Sequence, residues 1–270
     1  MIASTELRLR VMTYNVLADA YGAGHPEYFP LTASGDLAAK NRYPRLADRI
    51  RAADADIICL QEVDAQLHRL ILERLREFGY VDSCWAQRPG GKPDGVAMFV
   101  RGANSAAWSA FPLNDPPNAT RPARRVAIIY DGRFGGDRVR IVNVHFEWDP
   151  ADRPITQRYG MTAMQDLLGR LREQGDLPTI VCGDFNATPT EALPLALLSF
   201  GFVDCHAGAT CFTCTANGRP AKIDYIMTTP EWRVREAGAV ETPGPETELP
   251  SPAEPSDHLP LTVDISLRPA

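Results

Sequence analysis

The sequence predicts an α/β fold, and three observations support this. Apolar runs of strand length recur along the 270 residues, most of them ending in a polar side chain. Stripes of apolar residues at helical spacing lie between those runs. The polar side chains come from both ends of the chain, and no linker or internal repeat separates them, so one domain over 1–270 is expected.

Leu7 to Tyr14 places Leu7, Leu9, Val11 and Thr13 on one face and delivers Asn15. The run 56–61 delivers Glu62, and 95–101 and 125–130 read as supporting strands. Val139 to Val144 delivers His145, and Thr179 to Gly183 delivers Asp184. Lys222 to Met227 carries Asp224 in its middle, and the last strand, Leu259 to Leu267, follows Asp257 and His258.

The first helix runs through Leu46 and Ile50, with Pro44 expected in its first turn. A second buries Leu67, Leu70, Ile71, Leu75 and Phe78, with Asp64 as N-cap and Gly79 as stop. A third is expected from Ile155 to Gln174. A fourth runs from Thr190 to Phe200, with Pro194 near its first turn. The proline-rich stretches 112–122 and 241–256 read as loops. The second ends at Ser256-Asp257-His258 and suits a lid and a tolerated insertion equally.

An apolar content of 44% is enough for a large core. The net charge of −6 has the wrong sign for holding long nucleic acid by bulk electrostatics. Phosphate substrates stay open, because a divalent cation reverses the field locally. The N-terminus lacks an apolar core of signal-peptide length, and no run approaches a membrane span. A soluble cytoplasmic protein without membrane association is expected. Cys59 and Cys182, inside apolar runs, read as buried thiols. Cys205, Cys211 and Cys214 with His206 supply half of a zinc site without a matching half, so zinc is not expected.

Asp184 and Asn186 carry the most chemical information. On an extended backbone they point the same way, and two oxygen-rich groups together suit a hard cation, a water or a phosphoryl oxygen. The other polar residues each have an ordinary reading. Asn15 forms turns, Glu62 starts a helix, and His145 is a satisfied imidazole. Asp224 is different, because Ile223 and Tyr225-Ile226-Met227 surround it with apolar groups and its charge needs a partner. His258 is the natural one, giving an Asp–His dyad.

Six strings occur in order: Thr13-Tyr14-Asn15, Leu60-Gln61-Glu62-Val63, Asn143-Val144-His145, Gly183-Asp184-Phe185-Asn186, Ile223-Asp224-Tyr225-Ile226 and Ser256-Asp257-His258. Together they resemble the endonuclease/exonuclease/phosphatase superfamily. Tyr14 to Asp19, Lys92 to Gly95, His145 to Pro150 and Pro255 to His258 look most like its nocturnin and deadenylase branch. The resemblance implies a four-layer α/β/β/α sandwich of two mixed sheets, DNase I-like, with the active site at one edge of the sheets. It also implies Mg²⁺ or Mn²⁺ and hydrolysis of a phosphate ester. Glu62 would be the main metal ligand, helped by Asn15 and Asp257. Asp184 would activate or orient the attacking water, and Asn186 would position the phosphate. His258, held by Asp224, would contact the phosphate or accept a proton, and His145 would stabilise charge on the non-bridging oxygens.

The implied partner is a phosphate ester, either a nucleotide or a short nucleic acid, with no obligate protein partner. Arg121, Arg124 and Arg125 form one basic cluster, and Arg88 and Lys92 another. Both suit solvated surface, or a second phosphate or short strand if they border the metal. The deadenylases' adenine-stacking aromatic has no counterpart in 213–220, where Phe212 and Tyr225 are the nearest rings. Inositol polyphosphate 5-phosphatases would show Cys-Asp-Arg where Ile223-Asp224-Tyr225 stands. Three rival readings are a non-catalytic phospho-ligand or nucleic-acid binding module on the same scaffold, a phosphatase of non-nucleotide (inositol or lipid) phosphates, and a zinc-stabilised interaction domain.

Overall fold

The apolar runs pair into two mixed sheets. The computed structural model describes residues 6–80, 82–121, 124–150, 152–208, 212–215, 220–240 and 248–268. Cys211 and the first part of the proline-rich 241–256 stretch lie outside them. One sheet contains β1 (Arg8–Asn15), β2 (Ile57–Asp64), β3 (Asp82–Gln87), β4 (Asp94–Val100), β11 (Trp232–Ala237) and β12 (Leu261–Leu267), in the order β11-β12-β1-β2-β4-β3. The other contains β5 (Ala103–Pro112), β6 (Val126–Phe134), β7 (Asp137–His145), β8 (Thr179–Asp184), β9 (Val203–Asp204) and β10 (Asp224–Thr228), in the order β5-β6-β7-β8-β10-β9.

Strand alternation sorts the side chains into layers. Val11, Ile57, Met98, Ile128, Ile141, Ile180 and Val263 fill the space between the sheets. Met12, Ile58 and Phe99 face the other way, onto helices α2 (Ala39–Ala52) and α3 (Ala65–Leu75). Ile129, Val142 and Val181 face α4 (Tyr159–Glu173) and α5 (Ala192–Ser199). This is the expected α/β/β/α arrangement.

Topology brings the polar ends together. β1 runs parallel to β2, and β7 parallel to β8. β12 and β10 are antiparallel to β1 and β8. The C-terminal ends of β1, β2, β7 and β8 therefore meet the N-terminal ends of β10 and β12 at one edge. Just inside that edge, Gln61 Nε2 donates to Asn143 Oδ1 at 2.8 Å and to Thr13 Oγ1 at 3.1 Å. Asn143 Nδ2 donates to the carbonyls of Leu60 at 3.0 Å and Ala97 at 2.8 Å. One buried amide thus locks the register of two facing sheets. Asn143→Ala should destabilise the fold by about 2–4 kcal/mol, since it strands several buried polar groups at once. Urea unfolding checks this, and an unchanged midpoint would show the tie to be unnecessary.

Several expectations need correction. Pro44 lies inside α2, because the helix begins at Ala39, where the Asp19 carboxylate accepts from the Ala39 N–H at 3.0 Å. The helix expected from Ile155 is interrupted at Arg158, leaving a 3-10 turn (Ile155–Gln157) before α4. Asp149 takes the N–H groups of Tyr159 at 3.1 Å and Gly160 at 2.8 Å, which fixes the later start. Asp224 opens β10 rather than sitting mid-strand, because Thr213 Oγ1 accepts from the N–H groups of Ile223 and Asp224. Asp64 caps α3 as expected, accepting from Gln66 and Leu67, and Gly79 adopts the left-handed stop.

Candidate active site

Glu62 owes its direction to a break in the sheet. The pairing of β2 with β4 shifts between Gln61 and Val63, and Glu62 takes a φ of 59°. Such a bulge re-aims a side chain, and a non-glycine left-handed residue marks a position held by its surroundings. The glutamate is therefore not a helix-start residue. Its Oε2 accepts from Ala18 N at 3.1 Å and its Oε1 from Asn15 Nδ2 at 3.2 Å. Burial first, then the charges of Asp257 and Asp94, push its pKa up.

Asn15 bridges the two sheets. Its Nδ2 also donates to Asp184 Oδ2 at 3.0 Å, while its Oδ1 accepts from Leu17 N at 3.0 Å. A second lone pair on that Oδ1 is left for a ligand. Asp184 ends β8, and Asn186 reaches the same space by a different route from the strand alternation expected. The chain turns after β8, with Asn186 at φ 50° and its N–H on Asp184 Oδ1 at 2.8 Å. Asn186 Nδ2 then reaches the Phe146 carbonyl at 3.0 Å and lies 3.1 Å from His145 Nε2. His145 Nε2 is also 3.3 Å from Asp184 Oδ2. Burial, aided by Arg125 and Arg88, holds the His145 pKa well below the ordinary imidazole value, so the ring is neutral at pH 7.

His258 behaves in the opposite way. Its Nδ1 meets Asp224 Oδ2 at 2.8 Å, and its Nε2 lies 3.8 Å from Asp184 Oδ2. Burial is the largest influence and opposes its charge, yet Asp224, Cys214 and Asp257 together hold the pKa well above the ordinary value. Asp184 is pushed up to about 7, by burial first and then by Asp224 across the β8–β10 pair. Asp257 stands beside His258, with Cys214 Sγ within 4.8 Å of a donor atom of each. A polar line thus runs from Asp224 through His258, Asp184 and Asn15 to Glu62.

The arginines divide. Arg121 and Arg125 clamp Glu147, two residues past His145, with Arg125 Nε 2.8 Å from Oε2, and Arg121 also covers the Tyr159 ring. Arg124 acts electrostatically on Asp115. Arg121 and Arg125 are thus tied to Glu147, and Arg125 also acts on His145 through its charge. Tyr225 is buried against Phe185, which removes it as a stacking surface.

Two features escaped the sequence reading, and Arg88, one of its basic-cluster candidates, is buried. Arg42 is fully buried and donates to the carbonyls of Val16, Leu17, Leu37 and Pro255, tying the loop after Asn15 to the segment before Asp257. Its signal was a charge in the apolar phase of the Tyr43–Leu46–Ile50 stripe. Glu254, which burial pushes up to about 7, bonds Tyr14 and pairs with Arg49 at 2.6 Å. Arg88 pairs with fully buried Asp94 at 2.7 Å and touches Tyr21.

The Endonuclease/Exonuclease/phosphatase family matches residues 12–258. The chain belongs to that family. Nocturnin of Rattus norvegicus is 28% identical over 301 residues, covering 98% of this chain and 67% of nocturnin. The CCR4-Not complex 3′-5′-exoribonuclease subunit Ccr4 of Neurospora crassa is 25% identical over 264 residues, covering 73% of this chain. The match takes in only 33% of that Ccr4 subunit. Among solved structures, the human nocturnin catalytic domain with bound sulfate superposes with a TM-score of 0.72 at 25% identity, covering 97% of each chain. ANGEL2, a 2′,3′-cyclic phosphatase in complex with adenosine-2′,3′-vanadate, shares the fold with a TM-score of 0.82 at 19% identity, over 98% of this chain and 97% of that one. This endonuclease/exonuclease/phosphatase family member sets its polar strand ends at one edge of its paired sheets. Among the described residues, no helix is long and apolar enough to cross a membrane.

Proposed function

We propose that the protein is a divalent-metal-dependent hydrolase of phosphate esters, a phosphodiesterase or nucleotide phosphatase. The observation that carries this reading is the convergence of Asp224, His258, Asp184, Asn15 and Glu62 across two sheets, hydrogen-bonded from Asp184 to Glu62 and from Asp224 to His258, with His258 3.8 Å from Asp184. Glu62, Asn15 and Asp257 would hold Mg²⁺ or Mn²⁺. The residues fit such an ion: the donors are all oxygens, and the second lone pair of Asn15 Oδ1 is left for a ligand beside the buried Glu62 carboxylate. When bound, the ion would neutralise charge that spreads over the phosphoryl oxygens.

The chain's own groups divide the remaining work by protonation state. Asp184, with a pKa of about 7, is poised to take a proton from the attacking water. His258, kept charged by Asp224, suits donation to the phosphate better than acceptance. Asn186 would position the phosphate and neutral His145 would stabilise charge on its non-bridging oxygens. The nocturnin and Ccr4 relatives support a nucleotide or short nucleic acid as substrate, and ANGEL2 adds 2′,3′-cyclic phosphates to the candidates.

The test is a panel of a simple phosphodiester, nucleotides with 2′-, 3′- or 2′,3′-cyclic phosphates, poly(A), nicked DNA and inositol phosphates, with Mg²⁺ or Mn²⁺. Turnover of nucleotide substrates that stops in excess EDTA and returns with either ion is expected. Full turnover in EDTA would end the metal assignment, and exclusive action on inositol phosphates would overturn the nucleotide one.

A further inference from the structure

Cys214 brings sulfur into a site otherwise made of carboxylates, amides and imidazoles, and the backbone puts it there. Cys214 pairs with His258 across an isolated antiparallel bridge and with Ala221 on its other side. The bridge to His258 is closed at both flanks. Thr215 N donates to the Asp257 carbonyl at 3.1 Å, and Leu259 N to the Thr213 carbonyl at 2.7 Å. Residues directly opposite in such a pair send their side chains to one face, with Cβ atoms about 4.5–5.5 Å apart. The thiol therefore meets the His258 ring, and the two share a hydrogen bond. Cys214, Asp257 and His258 are all buried, and one donor atom from each lies within 4.8 Å of the other two.

The half-site read from the sequence, Cys205, Cys211 and Cys214 with His206, does not form among the described residues. Cys205 Sγ lies 3.9 Å from Thr228 Oγ1, and His206 Nε2 is 3.1 Å from the Thr262 carbonyl. Cys214 joins Asp257 and His258 instead. Burial pushes its thiol up to about 11, which makes it a poor nucleophile and a poor target for oxidation at pH 7. A coordinating metal ion does remove the proton from such a thiol.

Thiolate, imidazole and carboxylate together suit zinc and similar ions, whereas Mg²⁺ prefers six oxygens. Tetrahedral zinc, with bonds of about 2.0–2.3 Å, sets its ligand atoms about 3.5 Å apart. The three donors are already close to that spacing. We propose that Cys214, Asp257 and His258 form a second metal site, selective for zinc-class ions over Mg²⁺, whose occupation inhibits the enzyme. Binding releases the thiol proton and the imidazolium proton to solvent. It takes Asp257 from the Mg²⁺ ligands and His258 from the phosphate. The inhibition rests on the phosphate-ester reading, and the metal binding does not.

The test titrates Zn²⁺ and Co²⁺ into the wild type, Cys214→Ser and Cys211→Ser, with Mg²⁺ in excess. Cobalt reports the ligand directly, because a thiolate gives it a charge-transfer band in the near ultraviolet. The wild type and Cys211→Ser should show that band, and Cys214→Ser should not. Calorimetric zinc affinity should fall in Cys214→Ser by more than the about 10- to 100-fold that loss of an outer-sphere partner costs. Zinc should stop nucleotide hydrolysis by the wild type at concentrations that spare Cys214→Ser, each measured against its own zinc-free rate. Cys214→Ala repeats the comparison if the serine variant does not fold. A band that survives in Cys214→Ser, or one that needs Cys211, would overturn the site. Equal inhibition of the wild type and Cys214→Ser would put the zinc on the Mg²⁺ ligands and overturn the inhibitory role. A Cys214-dependent band in a protein that hydrolyses no ester would keep the site and remove the enzyme reading instead.

Discussion

Asp184→Asn should lower kcat by about 10³-fold, as expected when a general base is lost, while making the metal-free protein more stable. The two effects have one cause. Asp184 is almost completely buried, and its pKa is about 7 in the fold against an ordinary value of 3.8. The folded state therefore holds the proton more tightly than the unfolded chain does. The associated stability is complete below the ordinary value and is lost as pH rises through about 7. Asparagine keeps the shape and the acceptor for Asn15, gives up the one for the Asn186 N–H, and carries no charge to bury. The melting temperature of the variant should thus match wild type near pH 4 and exceed it increasingly up to about pH 8. Glu254, also at about 7, contributes a pH dependence of the same sign in both proteins and cancels in the comparison. Excess Mg²⁺ should narrow the gap by stabilising the charged wild-type cluster. A variant that keeps its turnover, or one that is less stable at pH 8, would remove Asp184 from its assigned place.

The legible part of this chain was the part encoded locally. Apolar runs such as Ile57–Leu60 and Ile141–Val144 specify central strands that are buried on both faces, and their polar C-terminal residues follow by simple continuation. The Asp64 cap and the Gly79 stop are equally local. Edge strands were harder to see. β5 carries Ala103, Ala106, Ala107 and Ala110 where a central strand would show branched residues, and β11 is exposed after Trp232. Helix starts failed for a single physical reason. α2 and α4 take their first N–H groups to Asp19 and Asp149, carboxylates on preceding loops, so no capping residue stands at either boundary. At the site, residue types were readable but their directions were not. The alternation rule placed Asp184 and Asn186 together through an extended backbone, whereas a left-handed turn does so. Glu62 needed a bulge that no local signal announces.

Arg42 shows what holds such separately encoded pieces in register, and Arg42→Met should cost about 3–5 kcal/mol of stability. The guanidinium bonds the carbonyls of Val16 and Pro255 at 3.0 Å, Leu17 at 2.6 Å and Leu37 at 3.0 Å. A methionine fills much of the volume but leaves those acceptors unpaired in a closed environment. The damage should extend beyond stability. Val16 and Leu17 follow Asn15 directly, and Pro255 precedes Ser256, whose hydroxyl donates to the Asn15 carbonyl at 2.7 Å. Releasing both segments should let Asn15 and the Asp257–His258 pair drift relative to Glu62, and displacements of that kind can cost about 10²-fold in rate. The variant should therefore lose kcat even well below its own melting temperature, with native circular dichroism. Arg42→Lys should recover only part of either loss, because an ammonium has three donors and cannot span four carbonyls. If Arg42→Met melts normally and turns over at the wild-type rate, the two loops must be held by Ser256 and the Tyr14–Glu254–Arg49 contacts alone.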